Sequence, residues 1–175
     1  MTERVIIAGS GGQGIMLLGK VLAEGALLEN KFVTWLPAYG PEVRGGAAHC
    51  MVTISDAEIG SPHIYKADTL IAMNQMSLDK FKNRLKNTGL MLVNTSLTKP
   101  DHNIKAKTVT GKFTDIAIDL GNIKVANMVA LGSCLAMKKV VSIENILRVI
   151  KKMAPKDKPE LLKVNIEALN KGREL

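Results

Sequence analysis

The residues best placed for chemistry form a glycine-rich turn near the start of the chain. Gly9, Gly11 and Gly14 satisfy the G-x-G-x-x-G pattern, with Gly12 and Gln13 between them. Glycine lets the backbone turn sharply and lets a ligand approach the main chain closely. If a helix follows, its first N–H groups and the positive end of its dipole point at the same place. The spacing therefore predicts a site for a phosphate or another anion.

A second glycine-rich segment could supply a cation to that site. Its residues are Tyr39, Gly40, Pro41, Glu42, Val43, Arg44, Gly45 and Gly46. Proline fixes one turn and the glycines free the backbone around Arg44, whose guanidinium can bind a phosphate or carboxylate bidentately while Glu42 orients it. The alternatives are a structural turn and, because Tyr39, Pro41 and Val43 are largely apolar, a contact with a partner protein. Asn127, at the start of a predicted helix, is a candidate for the same anion site. Its alternative role is to cap that helix.

Alternating strand and helix patterns indicate how the two loops are positioned. Strands are predicted at residues 5–8, 32–36, 49–55, 68–73, 90–94 and 107–110. Helices are predicted at about 14–29, for about ten residues from Ser77, and at 114–120, 125–137, 142–153 and 157–170. We expect one three-layer, Rossmann-like α/β domain over residues 1–175, with helices on both faces of a mostly parallel sheet. A hairpin at residues 49–60 would make the sheet mixed, and both glycine-rich loops should lie at one edge, at the ends of adjacent strands.

Several functions with known sequence patterns are not supported. No acidic residue lies between Asn30 and Glu42, where a nicotinamide-binding fold holds the ribose hydroxyls. Gly14 to Lys20 matches G-x-x-x-x-G-K, but Val21 stands where a magnesium-binding hydroxyl is needed. The three histidines have no metal-ligand spacing, and no G-x-S-x-G turn is present. The net charge of +8 suits nucleic acid, yet aromatic residues make up only 3% of the chain, so stacking is not expected.

Composition sets further expectations. Hydrophobic content is 46% and charged content 23%, as in globular proteins, and no apolar run approaches the roughly 20 residues of a membrane span. The chain begins without a signal-peptide pattern, so we expect a cytoplasmic protein. Cys50 and Cys134 are too few for an iron–sulfur site and are expected to be buried apolar residues.

Taken together, the motifs resemble the gamma subunit of 2-oxoacid:ferredoxin oxidoreductases over about residues 4–137. The resemblance rests on the glycine turn, on residues 39–46, on Ile54-Ser55-Asp56 with Ile59-x-Ser61-Pro62, on Leu120-Gly121-Asn122, and on Asn127 through Gly132. It implies a multi-subunit enzyme that decarboxylates a 2-oxoacid oxidatively, passes electrons to ferredoxin and forms an acyl-coenzyme A.

The resemblance also implies which subunits bind which cofactors. Thiamine diphosphate, its magnesium and the iron–sulfur clusters would lie on alpha, beta and delta partner subunits, and the isolated gamma chain would be inactive. This chain would help to bind coenzyme A, through Gly9, Gly11, Gly12, Gln13, Gly14, Arg44 and Asn127, and would contact its partners through the rest of residues 39–46. The substrate expected is 2-oxoglutarate, with pyruvate or a branched-chain 2-oxoacid as alternatives, and a stand-alone nucleotide-binding protein is the remaining possibility. No nucleic acid or membrane partner is expected.

Overall fold

A computed structural model describes residues 1–38, 47–99 and 104–175. Within these ranges six strands form one sheet: β1 (Thr2–Ser10), β2 (Phe32–Ala38), β3 (Ala47–Ser55), β4 (Ala67–Ala72), β5 (Leu85–Asn94) and β6 (Lys107–Gly111). The same ranges hold six α-helices: α1 (Ile15–Leu27), α2 (Gln75–Phe81), α3 (Phe113–Asp119), α4 (Ala126–Met137), α5 (Ile143–Met153) and α6 (Pro159–Arg173). Short 3-10 turns occupy Lys82–Arg84 and Ile123–Val125.

The sheet is mixed, as predicted, but for a different reason. Its order is β2-β3-β1-β4-β5-β6. β1, β4, β5 and β6 pair in parallel, whereas β3 runs antiparallel to both of its neighbours, β1 and β2. The predicted hairpin over residues 49–60 is wrong, because β3 pairs with β2 and β1 and no strand follows it before Ala67. One face of the strand is apolar, with Cys50, Val52 and Ile54, whereas the other carries the polar residues Thr53 and Ser55. Both polar residues are buried all the same, which suits a position between two other strands.

Helices cover both faces of the sheet, as predicted. On one face α1 packs its buried stripe of Ile15, Leu18 and Leu22 against alternate residues of β1 and β3. On the other face α2 buries Leu78 and Phe81 against Ile6, Leu70 and Met91. None of the helices in the described part of the chain is long and apolar enough to cross a membrane.

Several element boundaries differ from those predicted, among them the starts of α2 and β5 and the end of β2. α2 begins at Gln75 because the Asn74 side chain accepts from the Ser77 backbone N–H at 2.9 Å, so Asn74, and not Ser77, is the cap. β5 begins at Leu85, before the predicted start at residue 90, and includes Gly89. Pro37 belongs to β2, where an edge position tolerates the missing donor.

The last helix, α6, crosses α4 at two glycines. A Cβ on Gly132 would lie 2.0 Å from the Leu169 carbonyl oxygen, and one on Gly172 would lie 1.9 Å from that of Val129. The two backbones therefore approach more closely than any side chain would allow. This crossing anchors the C-terminal helix to the helix that carries Asn127.

Candidate functional site

The glycine turn joins β1 to α1 in the conformation that the spacing predicts. Gly12 has a φ of 88° and Gly14 a φ of 69°, both in the region that favours glycine. Gly14 is also the N-cap of α1, and no described side chain caps that helix. The first turn of α1 therefore faces the turn with backbone N–H groups, which is the arrangement that favours an anion.

The glycines of the turn serve different purposes. A Cβ on Gly9 would lie 2.6 Å from Gln13 Oε1, and one on Gly14 would meet the side-chain amide of Asn127. These two positions are glycine because neighbouring side chains occupy the space. A Cβ on Gly12, in contrast, would have nothing within 4 Å. Gly12 is thus the point at which a ligand can reach the backbone.

Gln13 and Asn127 hold the turn in place. Gln13 Oε1 accepts from the Ser10 backbone N–H at 2.7 Å, and its Nε2 donates to the Met73 carbonyl at 3.3 Å. Asn127, which is fully buried as the second residue of α4, donates from Nδ2 to the Gly14 carbonyl at 3.1 Å. Its Oδ1 accepts from the Met128 N–H at 2.8 Å. Both side chains are therefore engaged within the protein, and Asn127 is not the N-cap of its helix.

A network of amide and hydroxyl side chains forms the floor of the site. Asn74 donates to the Ser10 hydroxyl. The fully buried Asn94 donates to the Met73 carbonyl at 3.1 Å and to the Thr114 hydroxyl at 2.8 Å. The network ties the ends of β1, β4 and β5 to the start of α3. Sequence reasoning missed these residues, although a polar side chain at or just after the ends of β1, β4 and β5 was the available signal.

Two clefts open on either side of Gly12. The larger, the Lys124 cleft, has a volume of about 560 Å³ and lies between the glycine turn, Asn74 and the start of α4. Its polar lining includes Thr114 and Lys124, and its rim carries the exposed side chains of Met76, Leu97 and Ile123. The smaller, about 330 Å³, lies between the turn, Leu17 and Ala48. The titratable side chain of the larger cleft is a lysine, so the arrangement is suited to holding an anion.

Residues 39–46, including Arg44, lie outside the described residues, but the strands on either side fix where the segment begins and ends. Ala38 pairs with His49, and Ala47 pairs with Ser10 at the end of β1. The segment therefore leaves and rejoins the sheet at the edge that carries the glycine turn. The expectation that the two loops follow adjacent strands needs one correction, since β3 lies between β1 and β2.

Both cysteines are buried, as predicted. Burial raises the pKa of the Cys50 thiol to about 12, and burial together with the charge of Glu3 raises that of Cys134 to about 12. They are therefore protonated thiols at neutral pH. No group of three or more potential metal ligands occurs in the described ranges.

Comparison with known proteins identifies the family. Residues 4–175 match the model for pyruvate ferredoxin/flavodoxin oxidoreductase. The 2-oxoglutarate synthase subunit KorC of Methanocaldococcus jannaschii is 35% identical over the whole chain and 94% of its own length. The chain spans about a third of the length of the ketoisovalerate oxidoreductase VorA subunits that it matches in two Methanothermobacter species, with 34% and 36% identity.

Solved structures agree with this assignment. A keto/oxoacid ferredoxin oxidoreductase gamma subunit from Geobacter sulfurreducens superposes with a TM-score of 0.85 and 32% identity, over 98% of this chain and 96% of that one. The 2-oxoglutarate:ferredoxin oxidoreductase of Magnetococcus marinus shares the fold, with a TM-score of 0.91 and 22% identity over 99% of this chain and 30% of that one. The resemblance to gamma subunits is thus confirmed, and the chain belongs to the pyruvate ferredoxin/flavodoxin oxidoreductase family.

Proposed function

We propose that the chain is the gamma subunit of a multi-subunit 2-oxoacid:ferredoxin oxidoreductase. The complex would decarboxylate a 2-oxoacid oxidatively, transfer the acyl group to coenzyme A and pass the electrons to ferredoxin in the cytoplasm. Within it, this chain would contribute to coenzyme A binding and to subunit assembly. Its match to 94% of KorC and to 96% of the Geobacter gamma subunit supports this assignment.

The observation that carries the role in coenzyme A binding is the open backbone at Gly12. Coenzyme A has a pyrophosphate, a ribose phosphate and an adenine ring. Gly12 leaves room for a phosphate against the main chain, and Lys124 supplies a cation in the same cleft. The exposed side chains of Met76, Leu97 and Ile123 offer an apolar surface for the ring. The Magnetococcus enzyme, whose fold the chain shares, was solved with coenzyme A bound.

The other cofactors fit partner subunits better than this chain. An iron–sulfur cluster needs deprotonated cysteines, usually four, whereas Cys50 and Cys134 are buried thiols with pKa values of about 12. We therefore assign the clusters, thiamine diphosphate and its magnesium to alpha, beta and delta subunits. The segment of residues 39–46 begins and ends at the edge that carries the glycine turn, so it would contact a partner or the shared ligand there.

The substrate proposed is 2-oxoglutarate. KorC relatives from several archaea are named for the 2-oxoglutarate enzyme, which favours this choice. VorA and PorC relatives are named for ketoisovalerate and pyruvate enzymes, so these two substrates are the alternatives.

Reconstitution tests the assignment. The chain is co-expressed with alpha, beta and delta subunits of the same organism, and 2-oxoacid-dependent viologen reduction is measured with coenzyme A present. We expect activity from the complex, none from the isolated chain, and the highest kcat/KM with 2-oxoglutarate among the three 2-oxoacids. Turnover by the isolated chain, or a complex that forms without it and is fully active, would contradict the proposal.

Two substitutions test the contribution to coenzyme A binding. Gly12→Asn places a side chain in the cleft, and asparagine tolerates a positive φ better than most residues. We expect the KM for coenzyme A to rise about tenfold or more, as expected if a charge-assisted contact is lost. Gly60→Asn, at a glycine whose Cβ would also meet nothing within 4 Å, is the matched control.

Arg44→Ala tests the second loop in the same assay. An increase in the KM for coenzyme A of roughly ten- to a hundred-fold is expected if the guanidinium binds a phosphate. Failure of the complex to assemble would assign the loop to the interface. Unchanged assembly and kinetics would leave it only a structural turn.

A further inference from the structure

The Lys124 cleft shares part of its lining with a neighbouring cleft. A second cleft, of about 610 Å³, lies along the segment that follows β5 and shares Gln75 and Leu97 with the first. We call the two together the Gln75 trench, since that side chain lies at their junction. The trench runs from Gly12 at one end to Thr98 and Lys99 at the other.

Each end of the trench carries a lysine. Lys124 and Lys99 are both exposed, and neither forms an ion pair with an acidic side chain in the described part of the chain. The backbone of Lys99 is fixed, because its N–H donates to Gln75 Oε1 at 2.9 Å. Gln75 in turn donates to Asp79, at 3.2 Å and 3.3 Å. The trench therefore offers two separate positions for negative charge.

Thr98 gives a second indication at the Lys99 end. This residue is 7% exposed and lines the cleft, and its Oγ1 has no hydrogen-bond partner among the described residues. Buried hydroxyls in proteins are nearly always hydrogen-bonded, because an unmade bond leaves the desolvation of the group uncompensated. A phosphate oxygen in the adjoining cleft would be an acceptor for this hydroxyl.

The wall between the two ends carries two exposed apolar side chains beside Gln75. Leu97 and Met76 are 47% and 51% exposed, although both side chains are large and hydrophobic. Exposed apolar side chains grouped around a cleft indicate that a ligand or partner covers them. A sugar that joins two anionic groups and carries a flat, weakly polar ring would match the trench, with the ring against these apolar side chains.

We propose, on the basis of the function given above, that coenzyme A lies along the Gln75 trench with its two phosphate groups at opposite ends. The pyrophosphate lies against Gly12 and Lys124, and the 3′-phosphate of the ribose lies beside Thr98 and Lys99. The adenosine covers Leu97 and Met76. Lys99 is then the residue that distinguishes coenzyme A from its 3′-dephospho form.

Steady-state kinetics of the assembled complex with both coenzymes test this placement. Lys99→Gln should raise the KM for coenzyme A roughly tenfold and leave that for dephospho-coenzyme A unchanged, because only the first has a group for Lys99 to bind. Thr98→Val should also raise the KM for coenzyme A relative to the KM for dephospho-coenzyme A, by a smaller factor. Lys124→Gln should raise both KM values equally. Lys107→Gln, a matched loss of one charge at the start of β6 and hence at the opposite edge, should change neither.

The outcomes separate this inference from the proposed function. If Lys99→Gln raises both KM values equally, or neither, while Gly12→Asn still raises them, the chain binds coenzyme A but the placement of the 3′-phosphate is wrong. If Gly12→Asn and Lys124→Gln leave both KM values at the wild-type level, the chain does not bind the coenzyme and both proposals fail. As a control, thermal unfolding is measured for each variant to check that the fold is retained.

Discussion

The crossing of α4 and α6 leads to a severe effect from a single methyl group. Gly132→Ala would place a Cβ 2.0 Å from the Leu169 carbonyl oxygen and 3.1 Å from the Arg173 backbone nitrogen. Ordinary contact begins at 3.4 Å. Both neighbours are backbone atoms, so no change of rotamer relieves the overlap and the helices must separate by about 1.4 Å.

The expected loss of stability in Gly132→Ala is the sum of two opposing effects. Overpacking of this kind costs about 3 kcal/mol, the upper part of the usual range, because a rigid backbone contact is broken. Alanine recovers about 1 kcal/mol over glycine through its higher helix propensity. The free energy of unfolding should therefore fall by about 2 kcal/mol, which lowers the Tm of a domain of this size by about 4–8 °C.

Thermal and urea unfolding of the purified chain, followed by circular dichroism, measure this loss of stability. Gly25→Ala is the matched control, since it also adds a methyl group inside a helix, but its Cβ would meet the tip of the Ile146 side chain at 2.7 Å. That side chain can move, so we expect a change of less than 1 kcal/mol. The reasoning is refuted if Gly132→Ala unfolds within 1 °C of the wild type, or if Gly25→Ala loses as much stability as Gly132→Ala.

Three further predictions concern single side chains. Asn127→Ala removes one of the two donors to the Gly14 carbonyl and leaves the Leu18 N–H, so the free energy of urea unfolding should fall by about 1 kcal/mol, and an unchanged value would mean that the Asn127 hydrogen bond does not hold the turn. Asp56 is bound by Lys31 and by the N-terminal ammonium group, which lower its pKa from 3.8 to about 2. Its stabilising contribution is therefore complete above about pH 4 and is lost as the pH falls through about 2, so unfolding of Asp56→Asn should depend less on pH in that window. Cys50 and Cys134 should not react with a thiol reagent near neutral pH until the chain is unfolded, and rapid reaction of the native protein would contradict their burial.

The sequence predicts those parts of the site whose residues lie close together along the chain. The strand, turn and helix around Gly12 lie within one short segment, and their spacing was sufficient to predict that order of elements. The role of Asn127 was not predictable, because its partner Gly14 lies 113 residues away. The hairpin at residues 49–60 was wrong for a related reason. The turn chemistry around Asp56 is local, whereas the pairing of β3 with β1 depends on contacts between distant strands.

The antiparallel position of β3 has a consequence for how the protein can change during evolution. Because the chain leaves β2 and enters β3 at the same edge, residues 39–46 connect two strands that are paired with each other. A connection of this kind can vary in length without moving any strand, and doubling its length adds only about 0.6 kcal/mol of closure entropy. With the role proposed above for this segment, insertions and substitutions there would alter the recognition of a ligand or partner while the register of β1 with β3 is preserved. The segment is therefore the natural place to exchange sequence between family members when specificity is to be transferred.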